Sequence, residues 1–305
     1  MSAKPKVAFY WCASCGGCEE AVLDLGEAFL DVAEKIDVVF WPVALDFKRA
    51  DLEALPDHSI AAAFVNGGVR NAEQEEMVHL IREKAQLLFA FGACAQSGGV
   101  PGLANLWARE AILESIYGSE KPREVPEFQP RLRTLSDVVE VDYTIPGCPP
   151  TPKIIAAALT ALLGGDLPET GSVLAPDRAL CEECPRKESK PETLSVEAFK
   201  RPHQVAADEG ECLLAQGLLC LGAATRAGCE ARCIQGNMPC TGCFGPTSRV
   251  RDFGARALSA IASSAAGSVP EEIDRAFAGI PDPAGTFYRY SLAKVRFAGG
   301  AHEQH

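Results

Sequence analysis

A parallel α/β sheet, followed by a largely irregular cysteine-rich region, is the fold class that three observations predict. In the first half, short near-continuous apolar runs alternate with helical segments, the pattern of a parallel sheet covered on both faces. The turns that follow three of those runs carry cysteine beside glycine or proline. Beyond residue 180 helix and strand signals fade, while eight cysteines appear at 181, 184, 212, 220, 229, 233, 240 and 243.

The run Lys6–Trp11 reads as the first strand and passes into Cys12-Ala-Ser-Cys-Gly-Gly-Cys18. Residues 19–36 then read as one amphipathic helix, with Val22, Leu23, Leu25, Phe29, Leu30 and Val32 on its apolar stripe. Residues 37–41 and 59–65 are the second and third strands. Asn71 with Gln74 three residues on is a capping-box pattern that opens a helix over 72–84. Residues 86–91 form the fourth strand, running into Gly92-Ala-Cys-Ala95. The Pro- and charge-rich stretch 120–135 reads as an excursion loop, and 138–143 as the fifth strand. Pro146-Gly-Cys-Pro-Pro150 follows, and Thr151 caps a helix with Pro152 at its first position and a stop at Gly164-Gly165. Ligands of open α/β sheets gather at the carboxyl ends of the strands. In a parallel sheet, Cys15, Cys18, Cys94 and Cys148 therefore open on one edge.

The chain divides into a sheet domain at 1–165, a linker at 166–180, a cysteine-rich domain at 181–250 and a tail at 251–305. In the tail, helices are expected at 253–264 and 270–278, and the aromatic segment 287–290 is expected to lie on a partner. A length of 305 residues with 47% hydrophobic and 23% charged residues is ample for a packed core. A net charge of −12 without a basic stripe argues against a nucleic-acid or anionic-membrane surface. The apolar run 255–267 is too short to span a bilayer. With no leader pattern at its start, the chain is expected in the cytoplasm, where thirteen cysteines point to metal ligands rather than disulfides. No nucleophile–base–orienter trio and no dinucleotide-type Gly-rich motif is present. His203 reads as a loop residue. Glu19, beside Cys18, reads either as a helix-dipole partner or as a proton relay.

Four thiolates hold a 4Fe–4S cubane, as four hold a structural zinc. Thirteen cysteines are three sets of four plus one. Cys12, Cys15 and Cys18 form two overlapping Cys-x-x-Cys pairs. Gly16-Gly17 favours the second pair, which leaves Cys12 a buried free thiol. Further on, Cys181, Cys184, Cys212 and Cys220 make one set by neighbourhood, and Cys229, Cys233, Cys240 and Cys243 the other. Cluster ligands also interleave, so this partition stays open. Zinc knuckles are the alternative for the second half, although surroundings such as Gly217-Leu-Leu-Cys-Leu-Gly222 lack the basic residues usual there.

These motifs resemble the small subunit of nickel–iron hydrogenases across nearly the whole chain. The complex I quinone-site subunit is similar to the first half alone. The resemblance implies a flavodoxin-like sheet domain and three 4Fe–4S clusters. The proximal cluster would be held by Cys15, Cys18, Cys94 and Cys148, the medial by Cys229, Cys233, Cys240 and Cys243, and the distal by Cys181, Cys184, Cys212 and Cys220. It implies no catalytic residue here, because dihydrogen is split at a nickel–iron site on a large-subunit partner. Cys181 stands where many respiratory members have His, and Cys233 supplies a medial thiolate that many lack. Both departures resemble the cytoplasmic viologen-reducing subgroup, as do Leu180-Cys-Glu-Glu-Cys-Pro-Arg-Lys187 and Cys212-Leu-Leu-Ala-Gln-Gly217. That subgroup's partners are an iron–sulfur adaptor subunit and a flavin-containing heterodisulfide reductase-type complex. Ala223 departs from an expected Pro, at a position with no ligand role. The competing readings are a deazaflavin-reducing hydrogenase subunit, a zinc-stabilised scaffold, and a flavodoxin-like flavin carrier.

Overall fold

Strands form where β-branched and aromatic residues are buried on both faces, and the described residues contain seven. They are β1 (Lys6–Trp11), β2 (Asp37–Phe40), β3 (Ile60–Asn66), β4 (Val69–Asn71), β5 (Ala85–Phe91), β6 (Phe128–Arg133) and β7 (Tyr143–Ile145). The computed structural model describes residues 4–118, 124–267 and 269–295. Five strands make one parallel sheet in the order β2-β1-β3-β5-β7, the doubly wound order of flavodoxin-like folds.

Register explains one face of this sheet. Phe9 pairs with Phe64, Phe64 with Phe89, and Phe89 with Tyr143 on neighbouring strands. Their rings therefore stack in a row, with centroids 5.1, 4.7 and 5.3 Å apart, and Trp41 extends it at 4.4 Å from Phe9. Offset ring pairs add stabilisation beyond the area they bury. Helices α1 (Gly17–Leu23) and α2 (Glu27–Ala33) follow β1, and Ala21 and Val22 of α1 pack on the row. On the other face Ala8, Ala63, Val65 and Leu88 pack with Met77, Val78 and Ile81 from the 13-residue helix over 72–84.

The expected single helix over 19–36 is two, because Gly26 at φ +61° and ψ −133° leaves the helical region between α1 and α2. After the short α3 (Arg49–Glu53) comes α4 (Ala72–Lys84), which begins as expected. Asn71 Oδ1 accepts from the Gln74 N–H at 2.8 Å, and Gln74 Oε1 accepts from the Asn71 N–H at 3.3 Å. Helices α5 (Ala93–Ser97) and α6 (Arg109–Tyr117) follow β5. The stretch expected as an excursion loop contains β6, antiparallel to β4; its first part, 120–123, lies outside the described residues. Asn105 brackets Leu132 on β6 by accepting from its N–H at 2.8 Å and donating to its carbonyl at 2.9 Å. The strand expected at 138–143 is also displaced. Leu135–Asp137 form a tight turn, Val138, Val139 and Val141 pack irregularly under the sheet, and β7 starts only at Tyr143.

The helix α7 (Pro152–Gly164) starts at Pro152 as expected, but the Thr151 hydroxyl makes no cap bond and has no partner in its buried position. Ile154, Ile155, Ala158 and Leu159 of α7 join the aromatic face. Ser172–Leu174 then run beside β7, with the Leu174 N–H donating to the Thr144 carbonyl at 2.8 Å.

From 181 to 250 the chain forms tight turns, isolated bridges and one short helix, α8 (Arg232–Gln235). Its core includes Leu180, Leu213, Leu218, Leu221 and Ile234, closed by α9 (Phe253–Ala262). Beyond α10 (Pro270–Phe277), α11 (Pro283–Phe287) brings Phe287 into that core at 2% exposure. Phe287 of the aromatic segment 287–290 therefore packs on its own chain, while Tyr288 and Tyr290 stay half-buried. The Tyr290 carbonyl accepts from Ser97 Oγ at 2.7 Å and from the Gly99 N–H at 3.1 Å. Two apolar sheet faces and a second core leave these aromatics an internal place. No helix among the described residues is long and apolar enough to cross a membrane.

Candidate metal centres

The carboxyl edge of the sheet gathers the first thiols. Cys15 and Cys18 follow β1, Cys94 lies on α5 just after β5, and Cys148 follows β7. Two glycines make the approach possible. A Cβ on Gly92 would collide with the Cys18 sulfur, and one on Gly99 with the Cys94 sulfur, and both residues hold positive φ. The four thiols are electrostatic neighbours. Burial, followed by the charges of Cys148 and Cys15, pushes the Cys94 thiol up to about 12. Burial likewise raises Cys18, with Cys94, Cys148 and Cys15 adding to it. Such thiols stay protonated unless positive charge arrives to hold them as thiolates.

Cys12 belongs to the opposite face. It is 4% exposed, packs in the core beneath α4, and burial alone raises its thiol. No sulfur of the edge group acts on it.

In the second region Cys181, Cys184, Cys212 and Cys220 border one cavity of about 370 Å³. Burial pushes Cys181 up to about 12, followed by the charges of Cys220 and Cys184. A zinc ion would draw four sulfurs to about 2.3 Å from one centre. This cavity, which the four cysteines share with Arg186, Lys190 and Arg256 among others, is far larger than one ion. Among the described residues no three His, Cys, Asp or Glu side chains converge as they would on a single metal ion. A four-thiol cavity and glycines that press on sulfur are the donor set and clearance that an iron–sulfur cluster needs.

The remaining thiols, Cys229, Cys233, Cys240 and Cys243, lie between the other two groups. Cys243 is pushed up to about 12 by burial, with Cys229, Cys148 and Cys233 as its charged neighbours. At the other end the Cys240 N–H donates to the Cys220 sulfur at 3.4 Å. The group thus adjoins both others, Cys243 beside Cys148 and Cys240 beside Cys220.

Glu19, singled out in the sequence, and two arginines that were not, Arg186 and Arg226, support these groups. Glu19 is 3% exposed; its carboxylate accepts from Trp41 Nε1 at 3.0 Å and Asn66 Nδ2 at 2.9 Å, and burial raises its carboxyl. It ties α1 to the strand ends rather than merely complementing a helix dipole. Buried Arg186 donates to the Glu211 and Ile234 carbonyls at 3.2 Å and to Asn237 Oδ1 at 2.8 Å. It thereby joins the loops of Cys184, Cys212 and Cys233. Arg226, 3% exposed, donates to the carbonyls of Pro246 and Ala175 and pairs with Asp177. Their partners lie far off in sequence, so no local pattern marks them. His203 is exposed on the turn Pro202–Gln204.

Comparison with known proteins fits this geometry. The family described as "NADH ubiquinone oxidoreductase, 20 Kd subunit" matches residues 15–162, ending before the eight later cysteines. The iron–sulfur subunit of the F420-non-reducing hydrogenase from Archaeoglobus profundus is 39% identical over 310 residues, covering 94% of this chain and 96% of the relative. The chain belongs to the family of F420-non-reducing hydrogenase iron–sulfur subunits. The corresponding vhu subunit of the F420-non-reducing hydrogenase from Methanocaldococcus jannaschii is also 39% identical, covering 88% of this hydrogenase subunit and 92% of its own length. Among solved structures, a [NiFeSe] hydrogenase from Desulfovibrio vulgaris Hildenborough shares the fold at a TM-score of 0.53 and 20% identity, over 80% of this chain and 94% of that one. An NAD+-reducing [NiFe]-hydrogenase chain is 30% identical at a TM-score of 0.50, over 55% of this chain and 95% of that one. This protein is an oxidoreductase component, the iron–sulfur electron-transfer subunit of a hydrogenase, and such a small subunit pairs with a large one.

Proposed function

We propose that this chain relays electrons, taken from dihydrogen at a nickel–iron site on the large subunit, through three 4Fe–4S clusters to an iron–sulfur partner. The residues for the proximal cluster are Cys15, Cys18, Cys94 and Cys148. Those for the medial are Cys229, Cys233, Cys240 and Cys243, and those for the distal Cys181, Cys184, Cys212 and Cys220. When bound, each cluster supplies a site that accepts and releases one electron at a time. The protein's part is to hold the sulfurs, keep water away and space the three sites in series. The observation that carries the reading is the hydrogen bond from the Cys240 N–H to the Cys220 sulfur at 3.4 Å, together with the charge of Cys148 acting on Cys243; both support a serial order of the three groups.

Exposed Trp11, Val100, Leu106 and Trp107, close in sequence to Cys15 and Cys94, suit the proximal edge to a large-subunit contact. Beyond the distal group, an iron–sulfur adaptor and a flavin-containing heterodisulfide reductase-type complex are the acceptors, and the cytoplasm is the compartment. The relatives' name, F420-non-reducing, favours this over the deazaflavin-reducing alternative, since F420 is a deazaflavin.

The test is Cys15→Ser in the copurified complex. Iron per chain is expected to fall, and dihydrogen-dependent acceptor reduction to drop at least tenfold. Unchanged acceptor turnover with full iron would contradict the proximal role.

A further inference from the structure

Thr225 is 1% exposed and closes the turn that begins at Leu221, next to Cys220. Its hydroxyl sits between two partners: it donates to the Leu221 carbonyl at 2.7 Å and accepts from the Cys240 thiol at 3.4 Å. A hydroxyl has one hydrogen to give. With Cys240 protonated the arrangement closes, since sulfur donates and oxygen accepts. A thiolate bound to iron has no hydrogen to give, so the same two atoms would meet lone pair to lone pair.

Rotation about the Thr225 Cβ–Oγ1 bond removes that conflict by turning the hydroxyl hydrogen from Leu221 to sulfur. The Leu221 carbonyl is not stranded, because it also accepts from the Ala224 and Thr225 N–H groups at 3.1 and 3.2 Å. We propose that Thr225 is a positioning residue for electron transfer, whose hydroxyl donates to the Cys240 thiolate and sets the potential of the medial cluster. The inference rests on the three-cluster reading above. Hydrogen bonds to ligand sulfur stabilise the more negative, reduced form and raise the potential. Cys240 is also the residue whose N–H reaches the Cys220 sulfur, so the tuned thiolate stands at the medial-to-distal step.

The experiment is a redox titration of the whole complex, followed by electron paramagnetic resonance, for Thr225→Val and Thr225→Ser. Val keeps the shape and loses the donor. In Thr225→Val the reduced-to-oxidised ratio of the medial signal at a fixed potential should fall on the order of tenfold, about 59 mV for a one-electron couple. Ser should restore the wild-type value, and proximal and distal signals should not move. Full iron with an unmoved medial potential in Val would overturn the inference. Should Val lose iron there, Thr225→Ala is compared with Ser. Retention in Ser alone supports the bond to sulfur, and loss in all three makes the position one of packing and overturns the proposal. Unaltered complex with no cubane signals would overturn the three-cluster reading as well, a failure distinct from an unmoved potential.

Discussion

In the sheet region, Phe9, Phe64, Phe89 and Tyr143 stack across four strands, and two apolar faces bury against helices. In residues 181–250 a smaller core is threaded by turns, and buried guanidinium groups of Arg186 and Arg226 tie distant loops through backbone carbonyls. The first region draws its order from apolar area, which is non-directional and strong. The second has an apolar core as well, but a few directional bonds join its loops, which carry eight of the thirteen thiols. It follows that the sheet region should stand without metal, while the second region should gain much of its stability from what its thiols bind.

The largest effect expected is on iron depletion. Hydrogen exchange of chain prepared without iron should show residues 181–250 unprotected, with β3 and β5 still protected. Equal protection in both regions would erase the contrast. Next, Phe64→Ala removes the centre of the aromatic row and should cost about 4 kcal/mol, measured by denaturant unfolding followed in the sheet region. A loss below about 1 kcal/mol would mean the row is not what holds the sheet. Arg226→Met strips donors from the Pro246 and Ala175 carbonyls and leaves Asp177 to Ser248 alone, for roughly 3 kcal/mol. That loss should appear as faster exchange near 175–180 and 245–250, with the sheet unchanged. Asn71→Ala removes one helix cap and should lower stability by about 1 kcal/mol, confined to α4. The smallest effect belongs to Cys12→Ala, where iron per chain should not change. A loss of iron would bring Cys12 into the metal site, despite its place on the opposite face.

Much of the sheet region was legible because its signals are local. Apolar runs ended in glycine and cysteine, and Asn71 with Gln74 marked the start of α4. The misses have physical causes. Gly26 breaks a helix whose apolar stripe looks continuous, and the valines at 138, 139 and 141 resemble a strand yet pack as a turn. β6 reads as loop because its pairing with β4 is long-range. In the second region spacing shows that thiols matter but not which loops meet. That is decided by Arg186, Arg226 and the turn from Leu221 to Thr225, whose partners lie tens of residues away or depend on hydroxyl geometry.

The most direct test of three thiol groups in series is iron and acid-labile sulfide per chain in anaerobically purified complex, read with Mössbauer spectra and corrected for partner subunits. About twelve of each are predicted in this chain, four per cubane, all in cubane form. Bound zinc in place of iron, or iron for fewer than three cubanes, would contradict that arrangement.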